Sequence, residues 1–204
     1  MARVSLPNPE EMSAEQRAVY NEIVSGRRGR LVGPLRAVIH SPDLAARWSR
    51  LGEYLRYSTL LPPKLNELAI IVTGRRWNSQ VEFHVHAEAA RAAGLDPACI
   101  EAIRVGAVPH FPGPEEREIY AFARAIHETG DVPDELHDAV KNRWGERGVV
   151  ELTALIGYYT MVSIMLNVQA IPLMPGVTPP LQPASGGGFS SLPPAAMDHL
   201  AEAP

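Results

Sequence analysis

Apolar residues recur along the chain at three- and four-residue steps and do not alternate convincingly, so the pattern predicts helices and no strands. Ser13 followed by Gln16 forms a capping-box pattern, which opens a helix from about Ala14 to Val24 before the loop SGRRGR. Ser41 as N-cap with Pro42 in the first helical position opens another, with Leu44, Trp48, Leu51 and Leu55 on one face. Pro62 and Pro63 start a third, whose Leu65, Leu68, Ala69, Ile71 and Val72 lead into a junction from Gly74 to Asn78. The next begins at Ser79 and stops at Gly94, and Asp96 with Pro97 opens a short one to about Ile103. Further helices are expected from Glu115 to about Glu128, from Asp134 to Trp144, and after Gly145. The fold class is therefore all-α, a helical domain of six to eight helices.

The run VVELTALIGYYTMVSIMLNV, Val149 to Val168, is apolar nearly all round and approaches the length of a membrane span. Glu151 and Asn167 near its ends, and amphipathic helices elsewhere, point instead to a buried central helix, and no membrane partner is expected. After Ile171 the composition turns to Pro, Gly and Ser. That predicts an extended tail, either flexible or wrapped on a neighbouring subunit through Leu181, Phe189 and Leu192. The chain thus divides into an N-terminal extension with one helix (residues 1–34), a helical domain (35–172) and a tail (173–204).

With 204 residues, 46% of them hydrophobic, the chain can bury one substantial core. A net charge of -4 gives no electrostatic reason for a nucleic-acid partner, and Arg27, Arg28 and Arg30 form too short a basic cluster to change that. Cys99 is the only cysteine, which excludes an internal disulfide and any two-thiol cycle within one chain. The N-terminal MARVSLPNPEEM has no apolar signal region, so a reducing, cytoplasmic location is expected.

Candidate chemistry concentrates in RRWNSQVEFHVHAEAARAAGL, Arg75 to Leu95. Wound as a helix, this segment places Ser79, Glu82 and His86 along one stripe, and a carboxylate one turn ahead of an imidazole can orient the ring and raise its proton affinity. His84 falls on the opposite side with Glu88 and Arg91, as a solvated or interface histidine. HVH would suit a metal pair on a strand, but the alanines from Ala87 to Ala93 favour helix, and Glu82 with His86 lacks a third ligand; no metal is expected. Ser79 equally suits an N-cap, and Tyr158 and Tyr159 equally suit the core.

Four features stand together: Glu67 after Pro63, Glu82-x-x-x-His86, Gly94 eight residues past the histidine, and the GVVELTALIGYYTMVSIMLN segment. Jointly they resemble the carboxymuconolactone decarboxylase family of the alkylhydroperoxidase D-like superfamily, over roughly residues 35 to 172. In the peroxidase branch the site helix carries Cys-x-x-Cys-x-x-x-His. Counting back from His86, those positions hold Ser79 and Glu82, so dithiol-dependent peroxide reduction is not expected, and Cys99 is the only sulfur nucleophile left for a variant of it. The decarboxylase branch carries a glutamate four residues before the histidine. That likeness implies a lyase without a cofactor, acting on an unsaturated lactone acid in aromatic catabolism.

Such a reaction must hold a carboxylate, stabilise the dienolate left behind and protonate carbon. On the resemblance, His86 is the proton donor and Glu82 orients it. Glu67 is a second carboxylate, whose closeness to Glu82 would raise one of their pKa values. Arg75, on the Glu67 face, would clamp the substrate carboxylate or neutralise the glutamates. Ser79, Phe83 and Tyr158 complete the substrate pocket. The implied partners are a small carboxylated ring compound and further copies of the chain, as a homotrimer or hexamer, because the Val149 helix needs more cover than short helices supply. The alternative outside enzymology is a ligand-binding helical oligomer without turnover.

Overall fold

The structure, a computed structural model, describes residues 1–182 and 189–196. Among the described residues there is no strand. A 3-10 turn, Pro9–Glu11, precedes α1 (Ala14–Ser25), α2 (Leu35–Val38), α3 (Pro42–Tyr57), α4 (Pro63–Arg76), α5 (Gln80–Ala92), α6 (Pro97–Val105), α7 (Pro114–Thr129) and α8 (Asp134–Val168).

Local chemistry sets the boundaries. The Gln16 N–H donates to Ser13 Oγ (3.2 Å) and the Ser13 N–H donates to Gln16 Oε1 (3.0 Å), a reciprocal box that starts α1. Helices α3, α4, α6 and α7 each begin with proline, whose missing N–H is no loss in the first turn. Gly145, at φ 70 and ψ 176, breaks α8 where the sequence places the end of one helix and the start of another. Two ends close on non-glycine residues in the left-handed region, Asn78 and Ala170, both at φ 48. In each case the following N–H reaches back to form a Schellman closure: Ser79 to the Gly74 carbonyl and Ile171 to the Leu166 carbonyl, both at 2.9 Å.

Helix α4 occupies the centre and packs on α5, α7 and α8. Every residue from Leu65 to Gly74 is buried. The sequence reading put the Val149 segment there, but that half of α8 forms one wall of the core. Leu152, Leu155, Ile156, Tyr159, Val162 and Leu166 point inward, while Val150, Met161, Ile164 and Val168 are exposed. By length and composition α8 could cross a membrane, yet 56% of its most apolar window is buried within the fold.

The N-terminal segment is tied to the rest. Arg3 binds the carbonyls that end α8, through its N–H to Gln169 (2.9 Å) and its guanidinium to Val168 (3.1 Å), and α1 packs on α3. Of the two expectations for the tail, the loose one is corrected for the part described, because its backbone groups find partners on its own chain. Ser190 N–H donates to the Arg76 carbonyl (2.9 Å), Arg124 Nε to the Leu192 carbonyl (2.5 Å) and Tyr120 Oη to the Pro193 carbonyl (2.7 Å). Phe189 stacks edge-on against Trp77, ring centres 4.7 Å apart. The remainder of the tail, residues 183–188 and 197–204, lies outside the described residues.

Candidate active site

Glu67 sits in the middle of the most buried helix and is only 7% exposed. A carboxylate there requires compensation, and the helices on either side in sequence provide it. From α5, His86 Nδ1 lies 2.5 Å from Glu67 Oε2; from α3, Arg56 Nε donates to Oε1 at 3.3 Å. One turn before His86, Glu82 brings Oε1 to 3.1 Å from Nε2, within ion-pair range but out of line for a hydrogen bond. The two carboxylates therefore face the two nitrogens of a single ring. Tyr159 from α8 closes the cluster, its ring T-shaped on His86 at 5.0 Å. Gly74 lets α4 and α5 approach, since a Cβ there would lie 3.3 Å from the Phe83 nitrogen and 3.6 Å from Glu82 Cγ.

The electrostatics follow from this arrangement. Burial alone would push His86 down, but the charges of Glu82 and Glu67, with the bond to Glu67, hold it up at about 9. At neutral pH the ring is an imidazolium. Burial works to raise Glu67, and His86 and Arg56 beside it outweigh that and hold its carboxyl below the ordinary carboxylate range. Burial, reinforced by the Glu82 charge, drives the Tyr159 phenol well above its usual value, so it stays neutral.

Three residues chosen from sequence thus converge: Glu67, Glu82 and His86. The expectation that the closeness of Glu67 and Glu82 would raise one of their pKa values meets a different arrangement: His86 lies between them, and beside it Glu67 is held below the ordinary carboxylate range. Arg75 is misplaced by the sequence reading. It stands eight residues beyond Glu67, about 12 Å along the helix axis, where it donates to Ser190 Oγ and to Asn78 Oδ1 (3.4 Å). Arg56 holds the position expected of it. Phe83 follows Glu82 by one residue and so points about 100° away; it is buried and borders a separate cleft of about 160 Å³ with His84, Glu88, Arg91 and Arg104.

Tyr158 likewise faces away from the cluster by one helical step. Its hydroxyl donates to the Trp48 carbonyl at 3.2 Å, and its neighbour Tyr159 meets His86 instead. Ser79 occupies the N-cap position of α5 but makes no cap bond, and its fully buried Oγ has no partner. The signal for Arg56 was a demand: one glutamate in an otherwise apolar buried helix calls for a cation from a neighbouring element. Among the described residues no group of three or more His, Cys, Asp or Glu side chains is disposed to hold a metal ion. Glu67 and Glu82 bracket the imidazole from opposite nitrogens and do not converge with it on one point.

Residues 42–125 match the carboxymuconolactone decarboxylase family. No curated protein matches the chain. The alkylhydroperoxidase AhpD core protein of Ralstonia eutropha JMP134, an uncharacterised peroxidase-related protein, superposes with a TM-score of 0.69 at 14% identity, covering 85% of this chain and 93% of its own. A variant of the debrominase Bmp8 in complex with 2,3,4-tribromopyrrole gives 0.65 at 14% identity, with 86% and 95% covered. A peroxidase-related protein from Silicibacter sp. TM1040 gives 0.65 at 15%, with 84% and 91% covered. At these identities the likeness shows the shared all-α, alkylhydroperoxidase D-like fold.

Proposed function

We propose that this chain, whose residues 42–125 match the carboxymuconolactone decarboxylase family, is an acid–base lyase that decarboxylates a small unsaturated lactone acid or related ring compound without an added cofactor. The observation that carries this reading is the His86 ring, buried between Glu67 and Glu82 with one carboxylate at each nitrogen, whose charges favour its protonated form. Glu67 fixes the Nδ1 side of the ring, and Arg56 fixes Glu67. The Nε2 edge, beside Glu82, is left as the one that exchanges a proton.

In the proposed step the bond from ring carbon to carboxylate carbon breaks, carbon dioxide leaves, and the electron pair enters the conjugated lactone as a dienolate. His86 Nε2–H then protonates carbon, and the neutral imidazole regains its proton through Glu82. Exclusion of water from the cluster strengthens each charge interaction. Peroxide reduction has less support. Cys99 is buried and donates to the His110 carbonyl, and burial with the charges of Asp96 and Glu116 pushes its thiol up to about 11.

The same reading takes a small carboxylated ring compound as substrate, a cytoplasmic site of action with no nucleic-acid or membrane partner, and a homotrimer or hexamer as the working form. The bare apolar side of α8 supports the assembly. The test is a panel of carboxylated lactones and related ring acids, with carbon dioxide release, ultraviolet absorbance and peroxide consumption followed in parallel. Wild type should release carbon dioxide from at least one member, and His86→Ala and Glu82→Gln should lose that turnover with the fold intact. Full activity of His86→Ala on the true substrate would sink the proposal.

A further inference from the structure

At the start of α5 three backbone N–H groups, those of Gln80, Val81 and Glu82, have no acceptor among the described residues; the first closing bond runs from the Phe83 N–H to the Ser79 carbonyl at 2.9 Å. A helix of this length presents such groups together with the positive end of its dipole. Ser79 stands where a capping side chain would satisfy them, yet its Oγ makes no cap bond and is fully buried without any partner. A buried hydroxyl in that state lacks something to bind.

These residues border a cleft of about 410 Å³, completed by Leu166, Asn167 and Ile171. No charged side chain lines it. Its opposite wall is the C-terminal end of α8, whose carbonyls would repel an anion if bare. They are occupied: Leu166 by the Ile171 N–H, Asn167 by the Ala170 N–H, and Val168 by the Arg3 guanidinium. Asn167 Nδ2 is committed to the Trp77 carbonyl at 2.8 Å, and the Gln80 amide exchanges two bonds with the Leu181 backbone. What remains unsatisfied on the α5 side is a set of donors, set against the apolar surfaces of Val81, Leu166 and Ile171. The volume falls in the range of small-molecule sites.

We propose that this cleft is an anion subsite for the carboxylate of a small ring acid, bound by Ser79 Oγ and the amides of Gln80 and Val81, with the ring against Val81, Leu166 and Ile171. The choice of a ring acid rests on the acid–base reading above. Ser79 lies one turn before Glu82 on the same side of α5, so the subsite anchors a substrate one turn from the proton-exchanging edge. It also supplies the carboxylate anchor that Arg75 does not.

The experiment is calorimetric titration of the full-length protein with benzoate, benzamide and inorganic phosphate, for wild type, Ser79→Ala and His86→Ala, with amide chemical shifts of Gln80 and Val81 followed by NMR. Wild type should bind benzoate at least about tenfold more tightly than benzamide, and shift both amides. Ser79→Ala should weaken benzoate about tenfold, and His86→Ala should leave it unchanged. Loss of benzoate binding in His86→Ala but not in Ser79→Ala would overturn the subsite, as would no benzoate binding in wild type. Phosphate binding as tightly as benzoate would overturn the ring-acid assignment. Turnover separates the two proposals: unaltered benzoate binding in Ser79→Ala with dead His86→Ala removes the subsite and leaves the lyase standing.

Discussion

Glu67 on α4 and His86 on α5 meet through a 2.5 Å contact between Oε2 and Nδ1, a charged link inside the core between helices adjacent in sequence. Because the folded pKa of His86 is raised from the ordinary 6.5 to about 9, the folded state keeps a proton that the unfolded chain releases earlier. The resulting stabilisation, on the order of 3 kcal/mol, is complete below pH 6.5 and is lost as pH rises through about 9. Glu67 acts in the opposite sense: its lowered pKa adds stability above its ordinary value of 4.5, lost as the solution is acidified. Urea unfolding of wild type should therefore weaken on both flanks. His86→Gln should lose the alkaline slope, and an unchanged slope in that variant would refute the assigned pKa.

Arg56 adds a prediction of unusual sign. Its guanidinium, 3.3 Å from Glu67, partly neutralises the field that holds the His86 proton. Arg56→Gln should destabilise the fold by about 2 to 4 kcal/mol, since it strips a buried carboxylate of one partner, while raising the pKa of His86 still further. NMR titration of the imidazole reads the second effect. A fall in the His86 pKa would show that Arg56 acts on the site in some other way.

What was legible in the sequence was whatever local chemistry controls. Prolines at helix starts, the Ser13–Gln16 box and the Gly145 break are read from neighbouring residues alone, as is the Glu82–His86 stripe, whose two members share one helix. The errors arise where distant elements meet. Arg75 and Arg56 are equally plausible partners for Glu67 until the crossing of α3 and α4 is known, and that crossing is set by packing. Tyr158 and Tyr159 differ by one helical step, so only the rotation of α8 in the core decides which ring meets His86. The tail offers no periodicity at all, and its order comes from carbonyls meeting Arg124 and Tyr120 on a distant helix.

Gly52, buried in the middle of α3, should resist the substitution that helix propensity favours. A Cβ there would overlap the Tyr158 hydroxyl and lie 2.6 Å from an Arg28 guanidinium nitrogen. The Tyr158 ring cannot retreat easily, because its hydroxyl is tied to the Trp48 carbonyl and its ring packs on Trp48 and Tyr159. Gly52→Ala should cost about 1 to 3 kcal/mol by overpacking, more than the propensity gain of up to about 1 kcal/mol. Tyr158→Phe in the same background should recover part of the loss. A neutral or stabilised Gly52→Ala in denaturant unfolding would contradict the close approach.

At Ala170 the opposite holds. An alanine at φ 48 terminates α8, with its own N–H on the Asn167 carbonyl at 3.1 Å. The left-handed region burdens a Cβ by roughly 1 kcal/mol, so Ala170→Gly should stabilise the protein by a few tenths to about 1 kcal/mol after the entropy of the unfolded glycine is subtracted. A lowered midpoint would mean that the methyl group packs usefully.

The exposed side of α8 gives the last prediction. Val150, Ala154, Gly157, Met161, Ile164 and Val168 follow one another at steps of four and three, the spacing of a helix seam meant for another helix. Val150 is 67% exposed and Val168 50%, values that an apolar stripe of this length rarely keeps in the working form of a protein. Ala154 and Gly157 are small enough for a partner backbone to come close. Tyr54, 43% exposed and bonded to Glu151 at 2.5 Å, extends the surface onto α3. Light scattering should therefore find a homotrimer or a hexamer at micromolar concentration. Met161→Glu, which puts a charge in the seam without touching the core, should shift the population to smaller species with unchanged helical circular dichroism. A monomeric wild type, or an assembly indifferent to Met161→Glu, would show that this face is not what joins the subunits.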